Sequence, residues 1–277
     1  MIISNNIGGL ANRMKSIASG YRIANHTNIK LMIKWDILDN YNTHTHILNC
    51  PFNKLFQNEN VINNIDDINN IGLYNSHCLA IFDSDNIPKN FNTFKSNCSK
   101  QFTKSDKFNR NIDFMYHKIP DKIKKEYIEH FQKLQPTDNV LLKVNDFSKH
   151  FNNKTISVHI RSWNRNGENG RRKDLFNIKK WEDEMDKYDE EYRFYLSSDS
   201  YDVLYYFKNN RKYKDRIIIY DRQTNIDKSR DFPDGIIEDL IELYLLSKNK
   251  IIIGSHFSTF TEVAWYLAKC PKDIIVV

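Results

Sequence analysis

The stretch that decides the fold is IIEDLIELYLLSKNKIIIGSHFSTFTEVAWYLA, residues 236–268. A helix-period segment over 235–247 runs into the β-branched triplet Ile251, Ile252 and Ile253, which Gly254 and Ser255 end. Phe260, Ala264, Leu267 and Ala268 then recur at i, i+4, i+7 and i+8, so a second helix opens near Ser258. Helix, short buried strand, tight turn and helix in that order make one unit of a parallel sheet. Ser255, Ser258 and Thr259 gather hydroxyls at a helix start, where backbone N–H groups lack intrahelical partners and can seat a phosphate. The same residues also read as ordinary N-cap residues, and this stretch alone leaves both readings open.

Working outward, the alternation continues. Strands are expected at Thr155–Ile160, Arg193–Leu196, Arg216–Tyr220, Lys250–Ile253 and Ile274–Val277, with helices over 177–188, 200–208, 235–247 and 259–268. Near the N-terminus, Met1–Ser4 reads as a strand and Asn5–Arg13 as a loop. Met14, Ile17, Ala18 and Tyr21 read as one helix face, and Leu31–Trp35 as a second strand. DKIKKEYIEHFQKLQP, residues 121–136, is an amphipathic helix stopped by Pro136. Residues 40–115 are Asn-rich and weakly periodic and support no detailed assignment. The polar segment through Asn152 and Asn153 puts a boundary near Lys149. The fold class is therefore α/β, with two Rossmann-like domains, residues 1–149 and 150–277, facing a cleft.

The length of 277 residues accommodates two such domains, and a 40% hydrophobic content with 17 Phe and 15 Tyr fills their cores. The net charge of +6 is spread along the chain without a dense basic block, which counts against a nucleic-acid-binding arm. Cys50, Cys78, Cys98 and Cys270 show neither C-x-x-C spacing nor a cluster, so neither a zinc knuckle nor a disulfide framework is expected. No apolar run reaches the ~18 residues of a membrane span. The sequence begins MIISNN without a signal-peptide pattern, and a cytoplasmic protein with reduced thiols is the expectation.

Several residues could carry chemistry. Gly8 and Gly9 stand between the first strand and helix, where glycine permits φ > 0 and close approach of backbone N–H groups to a ligand. The pair matches neither a P-loop nor a G-x-G-x-x-G fingerprint, and a plain tight turn is the rival reading. Asn12 and Arg13 follow on the helix and are expected to face the cleft. In TISVHIR, His159 and Arg161 alternate and so share a face at the carboxyl end of their strand, the edge where open α/β sheets bind ligands. The forked guanidinium of Arg161 suits a diphosphate; a structural ion pair is the alternative. His159 is either a ligand or a satisfied core histidine. Arg165, Arg171, Arg172 and Lys173 follow in a polar loop and are mostly solvated charge. Asp199 ends the next strand, as a ligand-edge acid or as a helix N-cap. Glu238, Asp239 and Glu242 share helix faces and offer a carboxylate to the N–H donors of guanine, unless they form a solvated stripe. Asp83 and Asp85 form a chance D-x-D, His44 and His46 lack partners at ligand spacing, and no metal is expected.

Together, GGLANRMKSIASGYRIA (8–24), VHIR (158–161), FYLSSDS (194–200) and DLIELYLLSKNKIIIGSHFSTFTEVAWYLA (239–268) resemble the metal-independent, GDP-fucose-using fucosyltransferases of GT-B fold, including the α1,6 and bacterial nodulation-type enzymes. The resemblance implies inverting transfer of L-fucose from GDP-β-L-fucose to a glycan hydroxyl, without a cofactor or metal. It implies that Arg161 stabilises the β-phosphate, that His159 lies beside the guanosine, and that Ser258 with Thr259 contacts phosphate. Glu242 is the implied guanine reader where the family usually has Asp, with Asp239 as the fallback, and Asp199 lies near the nucleotide. Glu168 falls where some relatives place a general base. Ser162 stands where several relatives have a second arginine, and Arg165 is its proposed substitute in space. Two other readings stay open: a GT-B transferase using another nucleotide sugar, and a non-catalytic module binding glycan or nucleic acid.

Overall fold

Strand and helix alternate along both halves of the chain, and among the described residues every pairing between strands is parallel. The structure is a computed structural model that describes residues 2–6, 9–35, 37, 48–62, 72–76, 119, 121–162, 176–256 and 258–277. It divides into two units, Met1–Thr137 and Asp138–Val277.

In the first unit, β1 (Ile2–Asn6), α1 (Leu10–Thr27) and β2 (Leu31–Trp35) form the βαβ unit that the patterning requires. The weakly periodic region contributes α2 (Phe52–Leu55), β3 (Val61–Ile62) and β4 (Gly72–Ser76), and the sheet order is β3-β2-β1-β4. Met14, Ile17 and Ala18 of α1 are fully buried. The adjoining face of α1 packs on α3 (Asp121–Gln132). Ser19 and Tyr127 share a 2.7 Å hydrogen bond there, and Arg22 Nε donates to Glu126 at 2.5 Å. α1 ends at Asn28, in the left-handed region at φ 54°, which asparagine tolerates better than most residues.

His130 on α3 is buried, and its Nδ1 has no hydrogen-bond partner among the described residues. Burial, reinforced by the charge of Lys133, pushes its pKa down to about 4 from an ordinary 6.5. An unfolded imidazole gains its proton as the pH falls through 6.5, whereas the folded one resists until about 4. The first unit is therefore expected to be unaffected by this group above pH 6.5, to lose up to ~1.4 kcal/mol per pH unit between there and about pH 4, and to lose nothing further below. Denaturant midpoints measured across that range should show the slope, and His130→Asn should flatten it.

The second unit comprises α4 (Asp138–Phe147), β5 (Thr155–Ile160), α5 (Ile178–Met185), β6 (Arg193–Ser198), α6 (Tyr201–Asn209), β7 (Ile217–Ile218), α7 (Pro233–Leu246), β8 (Ile252–Gly254), α8 (Thr259–Leu267) and β9 (Ile274–Val276). The sheet order is β7-β6-β5-β8-β9. Strand order therefore reverses between β5 and β8, the switch point at whose carboxyl edge doubly wound sheets bind ligands.

Three expectations change. The segment after Pro136, read as polar and assigned no element, begins with α4, whose Val140 and Val144 are buried at helical spacing and which packs on α7. The division of the chain accordingly falls at Thr137–Asp138, twelve residues before Lys149, because α4 belongs to the second core. The strand expected at Arg216–Tyr220 pairs only through Ile217 and Ile218. The core itself follows the patterning: Ile156, Val158 and Ile160 of β5, Phe194 and Leu196 of β6, and Ile253 of β8 are buried together. Each such side chain contributes ~1.5–3 kcal/mol relative to an exposed one.

Candidate active site

The carboxyl ends of β5, β6 and β8 meet at the switch point, and short polar side chains bind them into one frame. Ser255, just past β8, accepts the Arg161 backbone N–H at 2.6 Å and donates to the His159 carbonyl at 3.2 Å. One hydroxyl thus pins β5 to β8. Asp199, just past β6, accepts from Arg161 Nη1 at 2.6 Å through one oxygen and from the Ser162 backbone N–H at 2.7 Å through the other. It therefore orients the guanidinium and the backbone that carries it. The N-cap reading of Asp199 does not hold, because Ser200 occupies the cap position of α6.

His159 is buried. Its Nδ1 lies 2.8 Å from Thr261 Oγ1, and its ring stacks on Phe260 at 5.0 Å between centroids. Burial is the main cause of a pKa pushed down to about 3, with Arg161 adding to it and Asp199 opposing it. The side chain is therefore a neutral hydrogen-bonding group at physiological pH. Thr261 Oγ1 also accepts the Ser255 backbone N–H at 3.2 Å. Ser258 caps α8 and accepts from the Thr261 N–H at 3.4 Å, so the ordinary cap reading of Ser258 is realised; Thr259 opens the helix.

A Cβ at Gly254 would stand 2.0 Å from Thr261 Cγ2. Only glycine lets α8 approach β8 this closely. Gly254→Ala is expected to cost ~1–3 kcal/mol through overpacking. Because the clash falls on the threonine that holds His159 and Ser255, the disturbance should reach both residues, which thermal melts together with NMR shifts of the His159 ring would detect.

The acidic residues of α7 are not a solvated stripe. Glu238 and Glu242 are buried, and all three carboxylates converge on Arg222, a residue for which the sequence pattern gave no signal. Arg222 Nη1 donates to Asp239 at 2.8 Å and to Glu242 at 2.5 Å, and Nη2 donates to the Gly235 carbonyl at 3.0 Å. Glu238 accepts the backbone N–H groups of Gln223 and Thr224, fixing the loop that carries Arg222. Burial pushes Glu242 up to about 7 against the opposing pull of Arg222. Its Oε1 and the hydroxyl of Tyr195 are both buried without a hydrogen-bond partner among the described residues. Glu242, expected to present its carboxylate to a base, is thus only 2% exposed and engaged by Arg222; Asp239 also bonds Ser229 at 3.1 Å.

In the first unit, Gly9 has φ −72° and ψ 168°, backbone that any residue adopts, so the φ > 0 that glycine permits is not used there. Arg13 is 1% exposed, with its guanidinium over the Trp35 ring at 4.8 Å, so its side chain packs within the unit rather than facing out of it. Asn12 lies in the first turn of α1, and its Oδ1 is buried without a partner among the described residues. Gly8, Arg165, Glu168, Arg171, Arg172, Lys173, His44, His46, Asp83 and Asp85 lie outside the described residues.

Solved structures resembling this one over nearly the whole chain include several fucosyltransferases. The NodZ alpha-1,6-fucosyltransferase co-crystallised with GDP matches with a TM-score of 0.55 and 15% identity, over 95% of this chain and 90% of that one. The fucosyltransferase NodZ from Bradyrhizobium matches at 0.54 and 16%, over 95% and 91%. POFUT1 in complex with GDP matches at 0.53 and 11%, over 99% and 97%. The fold is that of these fucosyltransferases. No protein-family model and no curated protein matches the sequence.

Within this fucosyltransferase fold, the H-x-R strand and the tail helix of the sequence resemblance fall on β5 and α8, side by side at the switch point. Among the described residues no group of three or more His, Cys, Asp or Glu side chains converges as a metal site, and no helix is long and apolar enough to cross a membrane.

Proposed function

We propose that this protein is an inverting fucosyltransferase that moves L-fucose from GDP-β-L-fucose to a hydroxyl of a glycan. The observation that carries the reading is the Arg161–Asp199–Ser255 frame at the switch point of a fucosyltransferase fold. In the reaction the acceptor oxygen bonds to the anomeric carbon as the bond from that carbon to the β-phosphate oxygen breaks. Charge then grows on the departing GDP. Arg161, held in aim by Asp199, and the N-terminus of α8 beside Ser258 and Thr259 stabilise that charge, so the preorganised frame does the catalytic work. Ser255 sets the backbone at Arg161, and neutral His159 packs beside the guanosine. In this reading Glu168 takes the acceptor proton, Arg165 adds positive charge, and Gly8 and Gly9 before α1, with Asn12 in its first turn, mark the first unit's side toward substrate, whereas Arg13 packs on Trp35. The first unit serves the acceptor and the second the nucleotide.

A transferase using another nucleotide sugar is the second reading. It is favoured by one observation, the engagement of Glu242 by Arg222 in place of an open base-reading carboxylate. Calorimetric titration separates the two. GDP is expected to bind at least tenfold more tightly than UDP, and equal affinities or no GDP binding would sink the guanine assignment. Incubation with GDP-fucose and a glycan panel, with mass spectrometry of the products, tests the transfer itself.

A further inference from the structure

The first unit carries a groove of about 460 Å³ at the carboxyl end of α1, lined by Tyr21, Asn25, Asn28, Lys30, Leu31 and Lys133 among others. Small-molecule sites span ~300–1,000 Å³, so the volume suits a ligand of that size. A side-chain network braces its wall. The Tyr21 hydroxyl donates to Asn60 Oδ1 at 3.2 Å and accepts from Asn58 Nδ2 at 3.3 Å. Asn58 Nδ2 also donates to the Lys133 carbonyl at 2.6 Å, and Asn60 Nδ2 to the Leu31 carbonyl at 3.2 Å. One pair of asparagines thus ties α1, β2 and the end of α3 into a fixed shape.

Two ammonium groups and no carboxylate line this groove. The acids on the elements around it are placed elsewhere: Glu126 is engaged by Arg22 and His26, and exposed Glu59 and Glu129 do not line it. Neither Lys30 nor Lys133 has an ion-pair partner among the described residues, and Lys133 Nζ lies over the Tyr21 ring, 5.3 Å from its centroid. That contact holds one ammonium without neutralising it. The carboxyl end of α1 contributes about half a negative charge, which leaves the groove positive. It also brings acceptors, since the last carbonyls of a helix lack intrahelical donors and Asn25 and Asn28 stand beside them. A nucleic-acid backbone needs a longer basic track. A pyranose bearing a carboxylate uses both halves of the wall: its acid meets the lysines and its hydroxyls donate to the acceptors. The groove is at the far end of α1 from Gly9, ~27 Å along an 18-residue helix, so it does not hold a hydroxyl reacting beside the Gly8-Gly9 loop. We propose that it anchors an acidic sugar at a remote position of the acceptor glycan. That the sugar belongs to an acceptor rests on the fucosyl-transfer reading; the groove and its charge do not.

The probes are a tetrasaccharide alternating glucuronate with N-acetylglucosamine, the neutral N-acetylglucosamine tetrasaccharide, sodium sulfate and a tetraglutamate peptide. Each is titrated against the full chain by calorimetry and saturation-transfer NMR. The acidic tetrasaccharide is expected to bind about tenfold more tightly than the other three, with an affinity that falls as salt rises. Lys30→Gln/Lys133→Gln should lower that affinity at least tenfold, and Lys30→Arg/Lys133→Arg, which keeps both charges, should retain it. Both lysines are exposed, so thermal melting and GDP affinity should be unchanged in either variant. Binding that survives the glutamine pair, no binding of the acidic sugar, or any other probe bound as tightly overturns the site. Absence of GDP binding by the wild type, with the acidic sugar still bound, would instead sink the donor reading and leave the groove standing.

Discussion

On the proposed fucosyl-transfer reading, Arg161→Ala is expected to lower turnover by about 100- to 1,000-fold, the range for removing one preorganised donor from a developing negative charge. The loss should appear in kcat, because the leaving-group charge that Arg161 meets is greatest in the transition state. Removing the guanidinium also leaves buried Asp199 without its 2.6 Å partner, so part of any loss could come from a weakened fold. A second variant separates these effects. Arg161→Ala/Asp199→Asn should regain thermal stability and none of the turnover. Arg161→Lys should keep a charge but lose the fork, giving intermediate kcat. Near-normal turnover in Arg161→Ala would remove the residue from the mechanism.

The second large effect concerns stability. Arg222→Leu leaves Glu238, Asp239 and Glu242 facing one another in a site where none is more than 14% exposed. Removing one partner from a buried charge cluster costs ~3–5 kcal/mol, and here three carboxylates lose the same cation. The second unit is therefore expected to melt well below the wild type at pH 7.5. The deficit should shrink as the pH is lowered toward 5, since protonation relieves the repulsion. Adding Glu242→Gln should restore part of the loss. A melting temperature unchanged at pH 7.5 would show that the cluster contributes nothing.

How far the sequence could be read varied with the physics of each feature. The strand Thr155–Ile160 was legible to the residue because a β-branched run is cut off by charge and a polar loop. The tail helices were legible because their apolar spacing is regular and glycine and serine punctuate it. Helix α4 was missed because only Val140 and Val144 are fully buried in ten residues, and Asn, Asp and Lys hide the period. At the site, Arg161 and Asp199 were singled out by their positions at strand ends, with an unspecified ion pair as the alternative for Arg161 and a helix cap for Asp199; that each is the other's partner was not legible. The structure shows an ion pair that also supplies aim. Arg222 was invisible because it sits in a loop without periodicity, 13 to 20 residues before the oxygens it binds. Thr261 was overlooked as an ordinary residue of a first helical turn, although its hydroxyl joins His159 to Ser255.

The close approach of Gly254 to Thr261 bears on how this chain can evolve. A side chain can enter at 254 only where the methyl at 261 has gone, and serine is the smallest change that sheds the methyl and keeps the hydroxyl. Positions 254 and 261 should therefore change together among descendants of this sequence, and even alanine with serine requires α8 to ease back from β8, since the Oγ and Cβ at 261 would stand 2.9 and 3.0 Å from the new Cβ. A lineage carrying alanine beside threonine should be rare, and where it occurs the frame around Arg161 should be the first part to have changed its chemistry.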